Sequence, residues 1–179
     1  MAAEGSSQAN SEKEPTPLFS ADLVARAAAL LERCKAAGLK IATAESCTGG
    51  LVAGLLTEIP GSSAVVERGF VVYSNEAKRD LLGVRKDTLA ERGAVSETTA
   101  RAMAEGALAA SRADLAVAVT GIAGPDGGTA EKPVGLVWFA CARAGGAIVA
   151  REERLGAIGR ANVRLVSVQI AIEMLEAAL

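Results

Sequence analysis

Thr43-Ala44-Glu45-Ser46-Cys47-Thr48-Gly49-Gly50 is the stretch whose reading decides the fold. It follows Leu39-Lys40-Ile41-Ala42, an apolar run that reads as a strand over about 39–44. It precedes Leu51-Val52-Ala53-Gly54-Leu55-Leu56, the opening of a helix expected over about 49–58 and ended by Pro60-Gly61. A serine at a strand-to-helix turn, followed by two glycines, stands where a nucleophile or an anion-binding group would stand. Hydroxyls and backbone N–H groups gather at such a turn, and the helix start adds partial positive charge. The same residues also make an ordinary glycine-rich turn with a Ser or Thr N-cap. Spacing alone leaves both readings open.

Composition sets the frame around this turn. The chain has 179 residues, half of them hydrophobic, a mean hydropathy of +0.29 and only 3% aromatics. Its core must therefore be built from Ala, Val, Leu and Ile, which suits one α/β domain with buried strands and Ala-rich helices. Net charge is −2 with a pI near 5.4, and the charges are interspersed. No basic face is expected, so neutralising nucleic-acid phosphates is not its business. No apolar run reaches the roughly 18 residues that span a bilayer. The start of the chain lacks the basic and apolar regions of a signal peptide, so a cytoplasmic protein is expected.

What is missing narrows the chemistry. With no histidine in the chain, neither a Ser-His-Asp nor a Cys-His triad can be built. Cys34, Cys47 and Cys141 are scattered without a CxxC pair, which argues against a thiolate zinc site and for buried thiols. No metal and no cofactor are expected. Covalent chemistry here needs Lys, Tyr or a carboxylate as its base.

Working outward, residues 1–18 read as a disordered tail and 19–179 as the domain. Ser20 or Asp22 caps a helix over 21–37 that Gly38 stops. Val65 to Tyr73 reads as a second strand, after which Ser74 and Asn75 cap a short helix holding Lys78. Tyr73 and Lys78 thus fall where α/β sheets present functional groups, at strand carboxyl ends. A helix over about 97–112 and a buried strand over 114–120 come next. The strand runs into a second glycine-rich turn, Gly121 to Gly128, read either as a phosphate or ribose cradle or as a plain connection. A strand over 134–142 pairs with 147–154 across Gly145-Gly146, and a helix over about 160–178 ends the chain. Arg160 and Arg164 lie one turn apart near its start, against the helix dipole; an anionic substrate would give that placement a purpose. The fold expected is a three-layer α/β/α sandwich around a mixed sheet of about five strands.

Four stretches, TAESCTGG, GSSAVVERGFVVYSNEAK, GAVSE and TGIAGPDGGTAEKPVG, carry a resemblance to the CinA C-terminal domain family, which extends over about residues 20–179. The resemblance implies hydrolysis of the carboxamide of nicotinamide mononucleotide to nicotinic acid mononucleotide and ammonia. Carried onto matching positions, it implies Ser46 as nucleophile with Tyr73 and Lys78 completing a serine-based triad. It places Thr48, Gly49, Gly50, Ser63, Asn75, Thr120, Gly121 and Arg160 at the substrate, and suggests a homo-oligomer, a dimer or larger. The chemistry agrees with it: without histidine, a lysine whose pKa is lowered by burial is the best base for a serine. Backbone N–H groups from Thr48 to Gly50 are expected to stabilise the oxyanion. The rival expectation is a nucleotide-binding or regulatory module without turnover, linked to competence or DNA damage. A P-loop is disfavoured because neither glycine turn ends in GK[ST].

Overall fold

The computed structural model describes residues 16–179, so the expected tail lies outside the described residues apart from its last few positions. Five strands form one mixed sheet in the order β2-β1-β3-β4-β5: β1 (Ile41–Glu45), β2 (Val66–Val71), β3 (Leu115–Gly121), β4 (Leu136–Arg143) and β5 (Ile148–Arg154). β1 pairs in parallel with β2 and β3, while β4 runs antiparallel to β3 and β5.

Strand alternation divides the core into two unlike halves. Ile41, Leu115, Val117, Val119, Val137 and Phe139 point to one face. There they meet α1 (Ala21–Ala37), α2 (Leu51–Thr57) and α6 (Arg160–Ala177). Ala42, Ala44, Ala116, Ala118, Ala140 and Ala142 point to the other. That face is covered by α3 (Asn75–Leu82), α4 (Lys86–Arg92) and α5 (Glu97–Ala109). With no bulk on the sheet side, α5 lies close, and its own contribution is again small: Ala100, Ala104 and Ala107 beside Met103. The tightness reaches backbone: a Cβ at Gly106 would overlap the Leu82 carbonyl. This is how a chain poor in aromatics fills a sandwich.

Several boundaries differ from expectation for local reasons. Gly49 and Gly50 adopt φ of +61° and +94°, so α2 begins only at Leu51. β2 stops at Val71, leaving Tyr73 62% exposed beyond the sheet. α5 ends at Ala109, and α4 occupies a stretch for which no helix was expected.

The chain order positions the site. α2 follows β1 onto one face and α3 follows β2 onto the other. The carboxyl ends of these adjacent parallel strands therefore open a crevice between diverging connections, the place where open α/β sheets bind ligands.

Candidate active site

Ser46 follows β1 directly and is 8% exposed. Facing it across the crevice is Lys78, 1% exposed, in the first turn of α3. The helix is aimed by Ser74, whose hydroxyl accepts from the Ala77 N–H. Lys78 Nζ lies 3.1 Å from Ser46 Oγ, 2.8 Å from the Val72 carbonyl and 3.3 Å from the Tyr73 carbonyl. Two of these three neighbours can only accept. A neutral amine has two N–H donors and one lone pair, so it satisfies both carbonyls and takes a proton from the serine hydroxyl. Burial acts in the same sense, holding the Lys78 ammonium below its ordinary pKa. The one opposing influence is negative charge on Cys47. That thiol is itself buried and pushed up to about 12, so it stays protonated and lends Lys78 no charge. Cys47 is for the same reason no nucleophile.

The serine turn is held from beneath by Glu45. This carboxylate, fully buried in β1, accepts from the N–H groups of Gly50 and Val52 at Oε2 and of Ala53 at Oε1, all between 2.8 and 3.0 Å. Thr43 Oγ1 adds a fourth hydrogen bond. Glu45 thus caps α2 from the preceding strand and opposes its dipole. From above, Arg164 Nη2 donates to the Thr48 carbonyl at 2.9 Å. Among the described residues no three His, Cys, Asp or Glu side chains are grouped as metal ligands.

Residues 24–179 match the CinA C-terminal domain. The chain belongs to that family. A nicotinamide-nucleotide amidohydrolase PncC of Escherichia coli (strain K12) is 62% identical over 119 residues, covering 66% of this chain and 72% of the relative. A second protein of that name, from Enterobacter agglomerans, is 52% identical over 145 residues, 81% of this chain and 86% of its own. Among solved structures, the competence/damage inducible protein CihA from Agrobacterium tumefaciens superposes with a TM-score of 0.89 at 57% identity, over 90% of this chain and 98% of that one.

Of the residues that the CinA resemblance singled out, Ser46, Thr48, Gly49 and Gly50 lie on the segment leaving β1, Tyr73, Asn75 and Lys78 on the segment leaving β2, and Arg160 opens α6 against Tyr73. Tyr73 is there on different terms from those expected: its hydroxyl accepts from Arg160 Nη2 at 3.2 Å, and only its backbone carbonyl touches Lys78. Arg160 is held in turn by the Gly124 carbonyl at 2.9 Å. Asn75 is exposed as the first residue of α3. The Thr48 hydroxyl is enclosed without a partner.

Others behave differently. Ser63 lies in the short 3₁₀ turn Ser62–Ala64 that leads into β2, so it sits at the amino end of the sheet, opposite Ser46. Thr120 is fully buried and spends its hydroxyl on the Ala94 carbonyl at 2.8 Å. Gly121, Gly124 and Gly128 are required by the chain's own packing. A Cβ at Gly121 would strike Val137 and the Leu136 carbonyl, and one at Gly124 or Gly128 would strike Val134. The expected oxyanion donors also change: Gly49 N–H is donated to the Ser46 carbonyl and Gly50 N–H to Glu45. Sequence reading missed Glu45, whose signal was a charge inside an apolar strand. It paired Arg164 with Arg160 as cations for an anion and did not connect it to the serine turn.

Proposed function

We propose that this chain is an amidohydrolase that converts nicotinamide mononucleotide and water to nicotinic acid mononucleotide and ammonia. The observation that carries the reading is the buried Lys78 amine 3.1 Å from the Ser46 hydroxyl at the crevice between β1 and β2. The names of its close relatives supply the substrate. Ser46 Oγ adds to the carboxamide carbon while its proton passes to Lys78 Nζ, giving a tetrahedral oxyanion. Collapse breaks the C–N bond, and Lys78 returns the proton to the departing amine, which leaves as ammonia. Water then attacks the acyl ester, giving a proton to Lys78, and collapse restores the serine and releases the carboxylate. Arg160, exposed at the mouth without a carboxylate partner among the described residues, offers the cation for the substrate's phosphate.

The reading extends to its setting. Three buried free cysteines suit a reducing compartment such as the cytoplasm. No helix of the described residues is long and apolar enough to cross a membrane. A homo-oligomer without nucleic-acid partners completes the proposal. Purified protein in EDTA, given nicotinamide mononucleotide, is expected to release ammonia in step with nicotinic acid mononucleotide, and Ser46→Ala to release none. Binding of the nucleotide without ammonia from the unaltered protein would favour the regulatory module instead.

A further inference from the structure

We propose that Arg164 acts on catalysis through the backbone: it polarises and aims the Cys47 N–H as an oxyanion donor, across two peptide groups of the serine turn. This rests on the amidohydrolase reading and adds a positioning residue to it. The path is continuous. Arg164 Nη2 donates to the Thr48 carbonyl at 2.9 Å. The same peptide unit carries the Gly49 N–H, which donates to the Ser46 carbonyl at 3.0 Å. That second peptide unit carries the Cys47 N–H, the donor immediately after the nucleophile. Hydrogen bonds in series strengthen one another, so a cation at the head of the series makes its last N–H a better donor.

Three further observations support the assignment. Of the N–H groups from Ser46 to Gly50, those of Ser46, Gly49 and Gly50 are donated to the Val119 carbonyl, the Ser46 carbonyl and Glu45. Cys47 and Thr48 have no carbonyl or carboxylate acceptor among the described residues. Their N–H groups meet only the Cys47 sulfur, a weak acceptor, which leaves them for developing charge. Arg164 has no carboxylate partner among the described residues, and its Nε is buried without an acceptor. Arg26 and Arg151, by contrast, both pair with Glu173. A partly buried cation without a counter-charge is costly unless a negative charge arrives during the reaction. Finally, the guanidinium lies beside the turn at Gly49, where a Cβ would be 3.4 Å from Nη2, an ordinary contact distance.

Removing an oxyanion donor outright typically costs about 100- to 1,000-fold in kcat, and weakening one through a relay costs a fraction of that. Arg164→Met is therefore expected to lower kcat by about 10- to 50-fold with KM for nicotinamide mononucleotide changed less than about threefold. Arg164→Lys, which keeps charge but not the planar fork, should fall between. Assigned amide spectra give a readout independent of substrate: the Cys47 amide proton shifts upfield in Arg164→Met, while amides along β3 stay in place. An unmoved Cys47 amide, an unchanged kcat, or a rise confined to KM overturns the proposal. If the unaltered protein releases no ammonia, the amidohydrolase reading fails, and the Cys47 amide still decides the relay. Should Arg164→Met not fold, Arg164→Lys carries both readouts.

Discussion

Lys78 Nζ stands 3.1 Å from Ser46 Oγ although the residues are 32 apart in sequence and their segments turn to opposite faces of the sheet. The contact exists because β1 and β2 are parallel neighbours whose connections diverge, so the segments leaving the two strands meet over the crevice between them. Lys78 is among the largest fully buried side chains, and no carboxylate neutralises it among the described residues. Burying an amine in this way disfavours its charged form and so favours the neutral state a base requires.

Replacing that amine should separate activity from stability. Lys78→Met is expected to lower kcat by about 1,000-fold or more, since loss of a general base typically costs about 100- to 10,000-fold and in the proposed mechanism the same group also protonates the leaving nitrogen. Its thermal midpoint should change little, because a thioether of similar length needs no desolvation, which offsets the loss of the donor to the Val72 and Tyr73 carbonyls. Lys78→Arg keeps a cation that cannot release its proton and should be equally inactive. An ammonia assay beside a melting curve checks both, and an active Lys78→Arg would remove lysine from the role of base.

The pH dependence carries a definite sign. Burial lowers the folded pKa of Lys78 below its ordinary 10.5. The rate should rise with pH through that lowered pKa and then level off, since only the neutral amine accepts the serine proton. For stability, between the lowered pKa and 10.5 the unfolded chain holds a proton at this position that the folded chain does not. Folding therefore gains free energy as pH rises through that window, and the penalty of burying the ammonium is fully felt only below it. Denaturation midpoints measured across the window should show this upward slope in the unaltered protein and lose it in Lys78→Met.

How much of this is legible in the sequence depends on what each signal encodes. The alternation Ile41-Ala42-Thr43-Ala44 and the glycines after Ser46 mark strand and turn, because side-chain period and positive φ are local properties. Motif membership is also local, and it drew Ser63 toward Ser46, but a motif does not say at which end of a parallel strand it falls. The glycines from Gly121 onward left a ligand cradle and a plain connection both open. Only the packed structure shows that Val134, Val137 and the Leu136 carbonyl occupy the space that side chains at Gly121, Gly124 and Gly128 would need. The roles of Glu45 and Arg164 were hidden because their partners are backbone groups, which no residue pattern names.

Glu45 makes the third prediction. Its carboxylate takes three N–H groups and one hydroxyl, a set that a carboxamide cannot reproduce, since one of its two ends donates instead of accepting. Hydrogen bonds to a buried charged group contribute roughly 1.5–3 kcal/mol each, and Glu45→Gln disrupts at least one and sets a donor against others. A loss of about 2–4 kcal/mol is expected, or a fall of very roughly 5–15 °C in the thermal midpoint for a domain of this size. Because Gly50 is released with it, kcat should fall as well. A midpoint within a degree of the unaltered protein would show that the turn holds without its carboxylate.

Tyr73 is where expectation and geometry part most plainly. As a member of the triad its hydroxyl would pass or steer a proton between Ser46 and Lys78. In the structure that hydroxyl instead faces Arg160, while Lys78 already meets Ser46 directly and meets Tyr73 only at its carbonyl. Tyr73→Phe keeps the carbonyl and the ring, and removes one hydrogen bond to the cation proposed for the substrate's phosphate. Such a bond is worth roughly 0.5–1.5 kcal/mol net, so KM should rise by about 3- to 10-fold with kcat within about threefold. The same loss should be smaller when Arg160 is already alanine, because residues sharing one contact do not contribute additively. A fall in kcat of about 100-fold or more at unchanged KM would instead return the hydroxyl to the proton path. Steady-state kinetics of Tyr73→Phe, Arg160→Ala and the double variant decide between the two.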